Sequence, residues 1–384
     1  MAPIAVEEVD ERGPISVKDV LEQQDGGFPM DEAVKEVLHS HGMTYVAVDP
    51  FGTSAWTVTG RVTALDGDGE EKSYFLPRSV AYGEHGGVML RGEFESANEI
   101  FRLMPGFIPE PYGYGRYKEA NPATYFYLSE FMNMDITTPP DPDELGSKLS
   151  ELHKKSESPT GKFGFHVVTC DGKIPHTVDW QDSWAVFFGR LLQGVCKLDA
   201  ETNAQWPEFD IALQQLVDKV IPRLLGNLTH DGQPIKPSIV HGDLWEPNLG
   251  TNMETGELVM YDVGSYYAHN EMDLGQWRAD FCSSLRSPVY TRAYLRYYPA
   301  AEPVEEFDDR NRLYSLKGTI NYSAGHPGCI VRQTAYNNVC YLCEKYAPVA
   351  GIDKYDPQKD PSVTGARLVP TFTKPPTDQV ATSA

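Results

Sequence analysis

Nowhere in its 384 residues does this chain offer an apolar run approaching the ~20 residues that cross a bilayer. It is also short of basic residues, with 33 Lys and Arg against 55 Asp and Glu and a net charge of −22. A surface so negative repels a phosphodiester backbone, which argues against nucleic acid as a partner. Cysteine is sparse, six residues along the whole length, too dispersed for a disulfide framework. Cys340 and Cys343 form a single CxxC with no second pair and no neighbouring histidine, so they read as packed cysteines on a helix. A basic-then-apolar secretory leader is missing too, because Glu7, Glu8, Asp10 and Glu11 make the opening segment acidic. The expectation is a cytoplasmic chain with no membrane association. What is there is ordinary globular material, 41% hydrophobic and 23% charged, able to bury a core and long enough for two joined lobes.

The hydrophobic pattern changes period along the chain. Residues 1–40 form a polar, acidic N-terminal extension with one short amphipathic helix around Met30 to Leu38. From Tyr45 to Ala81 the apolar residues fall in short runs punctuated by Gly60 and the turn Asp66-Gly67-Asp68-Gly69, the signature of antiparallel strands. Helical spacing takes over from about Gly92 to Met104, and Tyr125 to Leu128 is a further strand leading into Ser129-Glu130-Phe131. Thr137 to Pro142, rich in proline and aspartate, reads as a hinge. Beyond it helices dominate: Asp141 to Lys155, Phe209 to Leu225, Asp308 to Ala324 and Ala335 to Tyr346. The expected class is α+β in two lobes, a small antiparallel β-rich lobe with one helix over 41–136 and a larger, mainly helical lobe over 137–350. Residues 351–384 make a C-terminal tail, its last part from Pro370 expected to be disordered.

The most informative stretch is His241-Gly242-Asp243-Leu244-Trp245-Glu246-Pro247-Asn248. An aspartate with an asparagine five residues on has the spacing of a kinase catalytic loop. Phosphoryl transfer needs a carboxylate that orients an incoming hydroxyl and takes its proton, and a neutral oxygen ligand for the magnesium that offsets phosphate charge. After a polar turn at Glu254 to Glu257, the apolar run Leu258 to Tyr261 ends at Asp262. That pattern is a hairpin, and it returns a second carboxylate beside the first loop as a metal ligand.

Together these residues resemble the fructosamine-3-kinase (ketosamine kinase) family of protein-kinase-like phosphotransferases. The family's His-Gly-Asp-Leu-Trp stands at His241 to Trp245. Its metal-aspartate segment is echoed from Tyr261 to Leu274, and Phe163-Gly164-Phe165 and Asp179-Trp180-Gln181-Asp182-Ser183-Trp184 resemble two upstream motifs. The resemblance implies a protein-kinase-like fold, ATP and Mg2+ as cofactors, and a ketosamine or glycated amine as acceptor, phosphorylated on the sugar's third carbon so that the amine is released. It implies Asp243 as the catalytic base, Asn248 and Asp262 as magnesium ligands, and Trp245 as a wall of the sugar site. Gly52, Thr53 and Ser54 would form a shortened phosphate loop. Glu93 would be the helix glutamate that pairs with a phosphate-gripping lysine, with Glu95 as the second choice. Ser129, Glu130 and Phe131 would meet adenine through the backbone.

Two positions depart from the family pattern. The lysine expected at the end of the third strand is absent, and Pro77-Arg78 stands there instead. Arg78 is the candidate substitute, although its planar fork is not a lysine's point charge. Pro247 occupies the place where relatives carry glycine, and its φ is fixed near −65°. Three readings therefore stay open: a ketosamine kinase, a related small-molecule kinase with another acceptor, and a weakened kinase or pseudokinase.

Overall fold

The computed structural model describes residues 28–367 apart from Thr53, Ala55, Val80 and Ala81. Thr53, most of the N-terminal extension and the tail from Pro370 lie outside the described residues. The chain divides into two units, one of residues 1–94 and 111–131, the other of 95–110 and 132–384.

In the first unit Asp31 caps α1 (Glu32–Ser40) by accepting from the Ala33 amide. Five strands follow, β1 (Thr44–Pro50), β2 (Val58–Leu65), β3 (Glu71–Ser79), β4 (Pro111–Arg116) and β5 (Tyr125–Glu130), with α2 (Gly83–Leu103) inserted after β3. They form one antiparallel sheet in the order β1-β2-β3-β5-β4. Alternation along the strands puts Val58, Val62 and Ala64 of β2, Tyr74 and Leu76 of β3, and Phe126 and Leu128 of β5 into one core with Val34 and Leu38 of α1. Phe28 completes it, and Gly60 makes room: a Cβ there would stand 2.9 Å from the Phe28 ring. The helix foreseen near Met30 is thus part of this unit's core rather than of a separate extension.

Helix α2 begins well before Gly92, because Gly86 and Gly87 let its first turns lie against Ser79 and Tyr125. Strand β3 also runs on through Pro77. Its pairing with β2 is continuous from Arg78 to Glu71, whereas its pairing with β5 lapses between Phe75 and Arg78 and then resumes in the same register. Proline lacks the amide donor that rung needs.

The second unit holds β6 (Met134–Asp135), α3 (Pro142–Lys155, capped by Asp141), the hairpin β7–β8 (Cys170–Asp171 and Ile174–Pro175), α4 (Trp184–Thr202) and α5 (Pro207–Gln215). A π turn (Leu216–Val220) carries α5 into α6 (Ile221–Leu225). Next come the hairpin β9–β10 (Thr229–His230 and Gln233–Pro234), then β11 (Ser238–Val240), β12 (Leu249–Asn252), β13 (Leu258–Met260) and β14 (Tyr266–Ala268). Helices α7 (Met272–Gln276), α8 (Pro288–Tyr297), α9 (Phe307–Gly325) and α10 (Val331–Tyr346) close the unit. Helix α9 is buried on nearly all sides, polar residues included. Its buried cations are paired with carboxylates: Arg310 with Glu271 at 2.8 Å, Arg312 with Asp360, and Lys317 with Asp171 at 2.6 Å. Tyr290 and Tyr294 pack within the unit, and Cys340 and Cys343 are buried free thiols on α10, as their spacing suggested.

Candidate active site

The stretch from β11 to β12 is held from several directions. The Asp273 carboxylate accepts from the His241 amide at 2.9 Å and the Gly242 amide at 3.2 Å, and it meets His153 Nε2 at 3.3 Å. Burial by itself would raise Asp273, yet the hydrogen bonds from His153 and the His241 amide hold it below its usual value. His241 Nδ1 accepts from the Asp243 amide at 3.2 Å, so its Nε2–H donates to the Tyr261 carbonyl at 3.1 Å. Burial lowers the His241 pKa, so the ring is a neutral brace and not a base. Gly242 turns the chain at φ 88°, and a Cβ there would fall 2.2 Å from the Gly264 carbonyl oxygen. Only glycine fits.

Asp243 follows this turn with both carboxylate oxygens engaged. Gln276 Nε2 donates to Oδ1 at 2.9 Å, and Asn248 Nδ2 donates to Oδ2 at 3.1 Å and to the Asp243 carbonyl at 2.9 Å. Since the Asn248 amide nitrogen is given to Asp243, its amide oxygen is the group that remains for a cation. Desolvation and the charge of Asp171 push Asp243 well above the ordinary carboxylate range, with Lys317 opposing and Asp262 adding to the rise.

The β12–β13 hairpin is present as its sequence suggested, with Leu249 paired to Met260. Tyr261 continues the match: its amide donates to the Asn248 carbonyl at 3.0 Å and its hydroxyl to the Pro247 carbonyl at 2.7 Å. The next residue, exposed Asp262, takes a left-handed conformation with φ 56°, and the Gly264 amide then returns to the His241 carbonyl at 3.0 Å. Asp262 thus stands next to the Asn248 loop and within electrostatic reach of Asp243. Pro247 lies in the 3-10 turn Glu246–Asn248 and is not among the positive-φ residues, so its fixed φ suits the turn. Glu246 ties the same turn to the segment after α7, accepting from the Ser283 amide at 2.7 Å and the Leu285 amide at 2.8 Å. Trp245 is half-buried against Phe281, ring to ring at 5.3 Å.

The upstream motifs pack on each other. Phe163 exchanges backbone hydrogen bonds with Gln181, and Gly164 does so with Tyr267. Trp184 is core, its Nε1 donating to the Tyr314 hydroxyl at 2.9 Å.

Three residues of this site went unnoticed in the sequence: Asp171 on β7, Gln276 on α7 and Lys317 on α9. Lys317 Nζ donates to Asp171 Oδ2 at 2.6 Å and to the Gly242 carbonyl at 2.8 Å. No motif links them to Asp243, because only the fold brings such distant positions together. Among the described residues no group of three or more His, Cys, Asp or Glu side chains converges as a cage. A hard divalent cation at Asn248 and Asp262 would take the rest of its oxygen shell from a bound phosphate and water.

Most of the remaining candidates belong to the first unit. Gly52, at φ 69°, and Ser54 lie in the β1–β2 turn, where Ser54 Oγ accepts from the Trp56 and Thr57 amides, both at 3.2 Å. Ser129 and Glu130 end β5, and the Phe131 amide donates to the Ser73 carbonyl at 3.2 Å. Glu93 is half-buried on α2, while Glu95 pairs with His166 at 3.2 Å in the second unit. Arg78 is where the expectation needs correcting. It shares a face of β3 with Tyr74 and Leu76, is 3% exposed, and lies with its guanidinium 4.8 Å from the centre of the Phe28 ring. The face that looks toward the β1–β2 turn and the start of α2 carries Phe75, Pro77 and Ser79 instead.

Residues 57–335 match the family model described as fructosamine kinase. The chain is 27% identical to the chloroplastic protein-ribulosamine 3-kinase of Oryza sativa subsp. indica over 62% of its own length and 65% of the rice protein. It is 24% identical to the ketosamine-3-kinase of Mus musculus over 61% of this chain and 77% of that one. A solved structure from Thermobifida fusca, named among the fructosamine-3-kinases, superposes over 81% of this chain and 99% of its own with a TM-score of 0.63 at 20% identity. That likeness shows a shared kinase-like α+β fold.

Proposed function

The chain belongs to the fructosamine kinase family, and from that premise we propose that it transfers the γ-phosphoryl group of ATP, with Mg2+, to a sugar hydroxyl of a ketosamine, protein-bound or free. The observation that carries this reading is the meeting of Asp243, Asn248 and Asp262 on one loop and one hairpin of a single unit. Relatives named as ribulosamine and ketosamine kinases support the acceptor class.

When bound, the magnesium nucleotide supplies the phosphoryl group and screens its charge. The chain's own residues do the rest. Asp243, held by Gln276 and Asn248, orients the acceptor hydroxyl and receives its proton; its raised affinity for a proton suits that task. Asn248 and Asp262 offer oxygen to the cation, and Trp245 presents an aromatic face to the sugar. Phosphorylation at the third carbon would then loosen the adduct and free the amine.

The test is an acceptor panel with Mg·ATP, following acceptor-dependent ADP formation. Ribulosamine or fructosamine conjugates of a blocked lysine are expected to turn over, and amino-sugar antibiotics and choline are not. Asp262→Asn should lose turnover by about 100-fold or more. Preference for a different acceptor would move the assignment within the kinase-like group. A second reading, a nucleotide binder with little turnover, draws on the burial of Arg78 and on Pro77 standing in the lysine's place. It would be favoured by nucleotide-induced stabilisation with no transfer to any acceptor.

A further inference from the structure

Lys317 and Asp171 form a buried ion pair at the base of the candidate catalytic loop, with side chains 2% and 11% exposed. Burying two charges rarely stabilises a fold; an apolar pair of similar volume is often neutral or better. Stability alone therefore gives no reason for the pair, while its placement does. The Lys317 ammonium also donates to the Gly242 carbonyl at 2.8 Å, the peptide unit that leads directly into Asp243. The next residue on α9, Gly318, serves the same loop in another way. A Cβ there would fall 1.9 Å from Gln276 Oε1, so glycine leaves the space in which Gln276 reaches Asp243 Oδ1 at 2.9 Å. One step of α9 thus fixes both the backbone before Asp243 and one of its carboxylate oxygens.

We infer that Lys317 is a positioning residue for phosphoryl transfer, clamping the Gly242–Asp243 peptide from α9, with Asp171 as the paired anion that aims the ammonium. The inference rests on the proposed kinase reading. It adds a requirement that the loop motif does not contain. The tie fixes geometry rather than touching reactants, so its loss should appear in kcat more than in the KM of either substrate. Misplacing a reacting group by about 1 Å costs on the order of 100-fold.

The test uses the full chain and two variants. Lys317→Met with Asp171→Leu replaces the pair by apolar side chains, and its melting temperature is expected to stay at or above that of the unaltered protein. Its kcat should fall by about 10- to 100-fold with both KM values within about three-fold, on whichever acceptor the unaltered protein uses. Asp171→Asn leaves the ammonium without the anion that aims it and should also lower kcat, by about three- to ten-fold, less than the double variant. Hydrogen–deuterium exchange supplies a readout independent of turnover. The peptide spanning His241 to Asn248 should exchange at least about ten-fold faster in the double variant, with the rest of the second unit unchanged. A folded double variant with unaltered kcat and exchange overturns the inference, as does a loss confined to KM. If the unaltered protein transfers phosphate to nothing, the kinase reading fails, and the exchange result alone decides whether Lys317 clamps the loop.

Discussion

At the scale of single residues, burial raises more than one carboxylate of the second unit, Asp243 on its loop and Asp280 in the segment after α7. Asp280 is 2% exposed, and burial pushes it up to about 6, against partial relief from Thr334 and Arg286. Its folded pKa lies above its unfolded value, so the folded state binds the extra proton and stability falls as pH rises from about 4 to about 6. Above that window the full penalty remains, at most about 3 kcal/mol for a shift of about two pKa units. Asp280→Asn is therefore expected to be more stable at pH 7.5, with the advantage shrinking to nothing by pH 4, as followed by urea melts across that range. Asp273→Ala should act in the opposite sense. It strands the buried amides of His241 and Gly242, about 1–3 kcal/mol each, and chemical denaturation should register the sum. Asp243, Asn248 and Asp262 were legible because a short loop and a hairpin carry them. His241 and Asp273 brace that loop through its backbone amides. Asp171, Gln276 and Lys317 were not legible, since their meaning depends on three elements converging and no spacing encodes that.

At the scale of elements, β3 shows how far pattern reading goes. Its apolar core, Tyr74-Phe75-Leu76, was visible, and Pro77 looked like its end. The strand continues because β2 still pairs with it, while the rung toward β5 is given up where proline has no N–H. The period-2 rule then settles the fate of Arg78: it must share a face with Tyr74 and Leu76, and that face is the core. If an ammonium at this strand end grips phosphate in this chain as the family pattern implies, position 77 is where it belongs. Pro77→Lys is accordingly expected to raise kcat/KM for ATP by about ten-fold or more, and Arg78→Lys to leave it unchanged while lowering the melting temperature. Steady-state kinetics in ATP separate the two. Helix ends were the least legible feature; α2 starts early because two glycines permit close packing that no periodicity signals.

At the scale of the whole molecule, composition set the limits and the family match filled them. A net charge of −22 suits an enzyme of small acceptors better than a binder of nucleic acid, and no helix among the described residues is long and apolar enough to cross a membrane. Saturating Mg·ATP at about 100 times its Kd should stabilise the protein by about 2.7 kcal/mol, a gain that Asp262→Asn should forfeit in a thermal-shift titration. The most direct measurement is transfer of label from [γ-32P]ATP to a ribulosamine or fructosamine, with the unaltered protein and Asp243→Asn side by side. The account predicts labelled acceptor from the former and a loss of about 1,000-fold or more in the latter, both folded to the same degree. Equal transfer by the two proteins, or none by the unaltered one, would contradict it.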